Sequence, residues 1–176
     1  MTILLSIDGG NRAANDRACY VAEFHKAELA ALHTLNRAGV VKAMRAGLTC
    51  DTVAVERPCY DGRISRGIPP GTVIDLAWNA AAVAFTLAAG APVHAHTPTE
   101  WIGTVPKSVL HRRIWSALTG PERKFFHCET AEWIEAAAEK YARTRKLTEH
   151  AAYNTLDAAG VGLFELGRIG KGGVKR

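Results

Sequence analysis

Ile3-Leu4-Leu5-Ser6-Ile7-Asp8-Gly9-Gly10 is the stretch that decides the fold. A short apolar run that stops at a carboxylate and two glycines reads as a buried strand entering a turn. Asn11 extends the turn signal. Thr52-Val53-Ala54-Val55-Glu56 repeats the pattern, with Arg57-Pro58 closing it. Both acids stand where a buried strand should stop. If the two strands are parallel neighbours, Asp8 and Glu56 share one sheet edge, and open α/β sheets place ligands at the carboxyl ends of their strands.

The rest of the chain supports a sheet with interleaved helices. Residues 17–24 and 28–34 read as antiparallel strands, the second weakened by its Ala and Leu content. Residues 36–47 read as a helix ending at Gly47. Residues 52–56 and 92–96 read as further strands. Helices are expected over 73–89, 106–119, 130–146 and 148–168. The segment 60–71 is rich in turn residues and carries Tyr60, Arg63 and Arg66. Early strands followed by interleaved helices predict an α/β domain with a mixed sheet. Residues 1–169 are expected to form that domain, with 170–176 as a basic, flexible tail.

Composition narrows the class. The 176 residues are 48% apolar and 22% charged, which fits one globular domain rather than a disordered chain. A net charge of +5 suits a polyanionic partner, and equally a slightly basic soluble protein. The amino-terminal stretch lacks the basic region and long apolar core of a signal peptide. No apolar run is long enough for a membrane span. Cys19, Cys50, Cys59 and Cys128 form no C-x-x-C pair and lack neighbouring His at zinc spacing. They read as free thiols in a reducing cytoplasm, with Cys59 notable for lying just beyond Glu56.

A third carboxylate, Asp157, lies in Ala151-Ala152-Tyr153-Asn154-Thr155-Leu156-Asp157-Ala158-Ala159-Gly160. On a helix, Asn154 is one turn and His150 two turns before it. Gly160 and Gly162 cost helix propensity and point to tight packing against the sheet. Carboxylates from distant parts of a chain hold hard divalent cations, and a pair of such cations suits phosphodiester cleavage. Each acid has a plainer reading: Asp8 as a turn starter, Glu56 in a salt bridge with Arg57, Asp157 on a helix surface.

Basic residues cluster at Lys107, His111, Arg112 and Arg113, at Arg123-Lys124, and between Lys140 and Lys146. Such clusters can neutralise phosphates, or form a solvated helix face. The helix over 73–89 carries Ile74, Leu76, Trp78, Val83, Phe85 and Leu87 on different sides. A helix apolar nearly all round needs burial on more than one face, which predicts a two-fold dimer through it.

Taken together, Leu5-Ser6-Ile7-Asp8-Gly9-Gly10, Val53-Ala54-Val55-Glu56, Lys107-Ser108-Val109 and Thr155-Leu156-Asp157-Ala158-Ala159 resemble the motifs of the RuvC-like Holliday junction resolvases. These belong to the ribonuclease H-like superfamily, and small phage-type members are the most similar. The resemblance covers residues 3 to about 168 in the right order. It implies a ribonuclease H-like α/β fold with a mixed five-stranded sheet flanked by helices. It also implies a homodimer in the cytoplasm of a bacterial or phage-infected cell, two Mg²⁺ or Mn²⁺ ions per site, and paired nicking of four-way DNA junctions.

On that reading Asp8, Glu56 and Asp157 are metal ligands, Asn154 assists them, and Lys107 and His150 are catalytic. Tyr60, Arg63, Arg66, Lys107, His111, Arg112 and Arg113 would contact branched DNA. The chain departs from the family at Asn154, where an acid or His is usual, and in the longer segment 120–146. Two other readings compete. Ile7-Asp8-Gly9-Gly10 also resembles the phosphate loop of actin-like sugar kinases, for which the chain is too short. A non-cleaving junction-binding protein, or a broader flap and fork nuclease, would use the same fold.

Overall fold

The computed structural model describes residues 2–8, 19–57, 70–146, 150 and 152–174, with the backbone alone for 37 and 70–76. Five strands form one mixed sheet: β1 (Ile3–Asp8), β2 (Cys19–His25), β3 (Glu28–Leu35), β4 (Thr52–Glu56) and β5 (Val93–His96). The order is β3-β2-β1-β4-β5. The first three strands form an antiparallel meander. β4 and β5 then add parallel to β1. This is an α/β arrangement, a mixed five-stranded sheet flanked by helices.

Alternation along the strands divides the core into two layers. Leu4, Ala22, Phe24 and Ala54 face the cluster built on Trp101, Leu110, Ile114, Leu156 and Leu163. Leu5, Ile7, Val21, Val53 and Val55 face Val40, Val83, Ala84 and Leu87. The second layer is supplied by α1 (Arg37–Arg45) and α2 (Pro70–Ala88). The first is supplied by α3 (Pro98–Trp101), α4 (Lys107–Ala117), α5 (Gly120–Arg123), α6 (Thr130–Thr144) and α7 (Tyr153–Glu165).

β3 forms despite its Ala and Leu content because it pairs with β2 along its length, with Ala30 left out at a bulge opposite Glu23/Phe24. α1 is capped by Asn36, whose side chain accepts from the Gly39 amide at 2.7 Å. α3 and α5 each begin with a Thr–Glu capping box and a proline in the first turn. Four-residue helices are too short for periodicity to reveal, and the sequence reading missed both.

Three expectations need correction. α7 starts at Tyr153, so His150 precedes the helix instead of lying on it; the Tyr153 amide donates to the His150 carbonyl at 3.0 Å. Gly162, but not Gly160, is the glycine that meets the sheet. A Cβ on Gly162 would come 2.2 Å from Phe24 Cε2, whereas one on Gly160 would meet Ile114 and Trp101. Finally, the chain after Gly170 does not hang free. Residues 171–173 form a 3-10 turn, and Arg113 Nη1 donates to the Gly172 carbonyl at 2.8 Å. Both Gly172 and Gly173 are buried with φ of 71°, a conformation that favours glycine. Through residue 174 the segment belongs to the domain.

Candidate functional site

The site grows from the centre of the sheet. Ile7 and Val55 are register partners on parallel strands, so the next residues, Asp8 and Glu56, end side by side. Alternation turns Glu56 to the face covered by α7. There the Trp101 indole donates to Glu56 Oε2 at 2.8 Å. Burial pushes the Glu56 carboxyl up; the Lys107 charge opposes this, and the Asp157 charge adds to it.

α7 lies directly on β1. Ser6 Oγ donates to the Ala158 carbonyl at 2.7 Å, next to Asp157. Small residues on both sides of that contact let the helix come this close. Asp157 is only 3% exposed, which ends the reading of it as a helix-surface acid. A carboxylate so buried needs partners. Lys107, the first residue of α4, forms an ion pair with its Oδ2. His111, one turn further along α4, meets its Oδ1 at 3.0 Å. Burial disfavours the charged form of Asp157, but Lys107 and His111 outweigh it and hold the carboxyl low. Burial likewise opposes the Lys107 charge, and the carboxylates of Asp157 and Glu56 overcome it. Lys107 Nζ also lies 5.1 Å from the Tyr153 ring centroid.

The polar chain continues outward. His111 Nδ1 and His150 Nε2 are 3.2 Å apart. Burial, and then the neighbouring His111, push His150 down to about 4, so its ring is neutral at pH 7. A base that weak has little power to accept a proton at neutral pH. Its ring meets His111 and, edge-on, Tyr153.

Asp8, Glu56, Asp157, Lys107, His111 and His150 therefore gather at one end of the sheet. His111 was expected on a phosphate-binding surface; it is 1% exposed and serves Asp157 instead. Of its neighbours, Arg113 is committed to Gly172. Arg112 is exposed and pairs with Glu135 at 3.0 and 2.5 Å. Asn154 sits half-buried one turn before Asp157. Tyr60, Arg63, Arg66 and Cys59 lie outside the described residues. Trp101 was missed. Its contact with Glu56 spans 45 positions, and no local pattern announces it.

As the side chains stand, no three His, Cys, Asp or Glu among the described residues are drawn together to hold a metal ion. Lys107 occupies one Asp157 oxygen and His111 the other. The chemistry of the donors nevertheless fits a hard divalent cation. Asp8 and Glu56 offer carboxylate oxygens at adjacent strand ends, and Asp157 approaches from α7. The upward shift at Glu56 marks a place where added positive charge would be stabilising.

No protein-family model matches the chain, and no curated protein matches it. Among solved structures, the chain is similar to T. thermophilus RuvC in complex with a Holliday junction substrate. The identity is 15% over 93% of this chain and 91% of that one, with a TM-score of 0.44. It is also similar to a mutant gp2c of the large terminase subunit from bacteriophage Sf6 with calcium, at 10% identity over 93% and 88% of the two chains, TM-score 0.42. The nuclease domain of the large terminase subunit gp2 of bacterial virus Sf6 matches at 10% identity over the same shares, TM-score 0.41. Likenesses this distant say nothing of activity.

Proposed function

We propose that this chain is a metal-dependent endonuclease that nicks four-way or other branched DNA, in paired fashion, as a homodimer. One observation carries the reading. Asp8 and Glu56 end neighbouring parallel strands beneath Asp157 of α7, and the Lys107 ammonium lies within the electrostatic reach of both Glu56 and Asp157. Residues distant in sequence thus bring a surplus of carboxylate and one cation to a single point.

Asp8, Glu56 and Asp157 would hold Mg²⁺ or Mn²⁺, with Asn154 contributing an uncharged oxygen. Divalent cations there supply an activated water and stabilise the leaving oxygen of phosphodiester hydrolysis. The chain's own residues do the rest. Lys107 presents a fixed positive charge to the phosphate. His111 holds Asp157 by one oxygen, and His150 braces His111. Arg112, with Tyr60, Arg63 and Arg66, would contact the DNA outside the site. Trp78 and Phe85 of α2, 72% and 68% exposed, would be covered by a second copy.

A non-cleaving junction-binding protein is the second reading. It is favoured by the Lys107–Asp157 ion pair, which leaves the Asp157 carboxylate already neutralised. Incubation with a labelled synthetic four-way junction and a linear duplex, with Mg²⁺ or Mn²⁺ and with chelator, separates the two. Metal-dependent nicks in the junction support the nuclease. Tight binding without any nick supports the second reading.

A further inference from the structure

We infer that Trp101 is a positioning residue of this site: its indole N–H fixes the Glu56 carboxylate while its ring sets how closely α7, the helix of Asp157, approaches. The inference rests on the carboxylate-site reading above and goes beyond it, because Trp101 carries no chemistry of its own.

Trp101 ends the one-turn helix α3 and is fully buried. A capping box between Thr97 and Glu100 holds that turn, with the Thr97 amide 2.5 Å from Glu100 Oε2. The indole lies between the two elements that supply the acids. On one side Nε1 donates to Glu56 Oε2 at 2.8 Å. On the other, the ring, together with Ile114, fills the hollow beside Gly160, one turn after Asp157. A Cβ at Gly160 would come 2.8 Å from Trp101 Cζ3. Lys107 Nζ is 6.0 Å from the ring centroid. One rigid side chain therefore touches the strand of Glu56 and the helix of Asp157, and lies near the cation that pairs with them.

Packing alone explains the ring but not the aim of its N–H. A phenylalanine could fill much of the same space. A buried indole does need an acceptor, and here the acceptor is Glu56, whose carboxyl burial pushes up. Among the described hydrogen bonds only Oε2 of Glu56 is engaged, so the bond orients the group while leaving Oε1 to the site. Partners that orient a metal-binding group in this way are worth about 10- to 100-fold in affinity or activity.

The test uses the full-length chain. Trp101→Phe keeps an aromatic ring and removes the N–H. Mn²⁺ affinity is measured by calorimetry without DNA, and kcat and KM are measured on a four-way junction. We expect Mn²⁺ affinity to fall by about 10-fold or more and kcat to fall with KM unchanged. In the Glu56→Gln background, Trp101→Phe should change Mn²⁺ affinity no further. A second measurement needs no variant that must fold: the Trp101 indole ¹⁵N–H resonance of the wild type should shift on Mg²⁺ addition. Trp101→Phe binding Mn²⁺ like wild type, an equal loss in both backgrounds, or an indole resonance indifferent to bound Mg²⁺ would each overturn the inference. Wild type that binds neither cation overturns the carboxylate-site reading itself, an outcome distinct from the other three.

Discussion

Ser6 and Ala158 are 152 residues apart and joined by one hydrogen bond of 2.7 Å, from the Ser6 hydroxyl to the Ala158 carbonyl. The bond fastens the central strand to the helix that bears Asp157. Both groups are buried, so neither has water as a substitute partner. The acid at the end of β1 and the acid on α7 take their relative placement from this contact.

Ser6→Ala should destabilise the fold by about 1 kcal/mol, the usual net worth of such a bond. It should also lower kcat on a junction more than it raises KM. Urea denaturation and steady-state nicking check the two halves, and unchanged kcat would show that the bond serves only the fold.

Asp8→Asn, Glu56→Gln and Asp157→Asn should each slow nicking about 1,000-fold or more, the effect of losing roughly 4 kcal/mol of charge stabilisation. Junction binding should survive, because these acids are assigned to metal rather than phosphate. Gel-shift and cleavage assays on one preparation compare the two, and a variant that cleaves normally removes its residue from the site.

Gly162→Ala should cost about 2–3 kcal/mol or prevent folding, since the added methyl would lie 2.6 Å from Ser6 Oγ and nearer still to the buried Phe24 ring. Gly120→Ala is the control: nothing lies within 4 Å of its Cβ position. Thermal melts of the pair should differ by many degrees, and equal melting temperatures would contradict the close helix–sheet contact.

Glu122 predicts a pH dependence. It is 2% exposed, it accepts from Arg168 at 2.5 and 2.8 Å, and the Leu29 and Thr119 amides donate to it. Burial opposes its charge most strongly, but the hydrogen bonds from Arg168, Thr119 and Leu29 together outweigh it and hold the carboxyl down at about 2. A depressed folded value means that the stabilisation is present above the unfolded value, near 4.5, and is lost as pH falls through about 2. Glu122→Gln should therefore destabilise by about 3 kcal/mol at neutral pH and flatten the stability profile between those two values. A variant whose acid profile matches wild type would assign the acid sensitivity to other carboxylates.

Trp78→Arg combined with Phe85→Arg should give a monomer that still folds, since both side chains are exposed in the single chain while Val83 and Leu87 of the same helix are buried. Paired nicking should be lost before single nicking. Light scattering at micromolar concentration decides this, and a wild-type monomer would remove the dimer.

The sheet was legible because its strands are apolar runs with clear stops. The placing of Asp8 and Glu56 at neighbouring strand ends was legible for the same reason: each carboxylate stands where an apolar run stops. Asp157 stood out by its small, uncharged neighbours, and those neighbours let α7 approach the sheet closely enough to bury it. His111 was misread as part of a basic run. Helical geometry separates it from Arg112, because residues four apart share a face and His111 therefore lies with Lys107. The start of α7 was misjudged because Ala151 and Ala152 continue the helical composition beyond the helix itself. Trp101 was invisible because its importance depends on Glu56 and Gly160, which only the folded chain brings to it.

The order in which the acids are made has a consequence of its own. Glu56 leaves the ribosome long before Asp157; at about 5–20 residues per second the interval is roughly 5 to 20 s. Throughout it the growing chain has strand ends but neither the third acid nor the carbonyl that Ser6 grips. A half-made copy thus lacks the cluster of Glu56, Lys107 and Asp157 as a whole, and a product broken off before α7 would carry none of the activity proposed for that cluster.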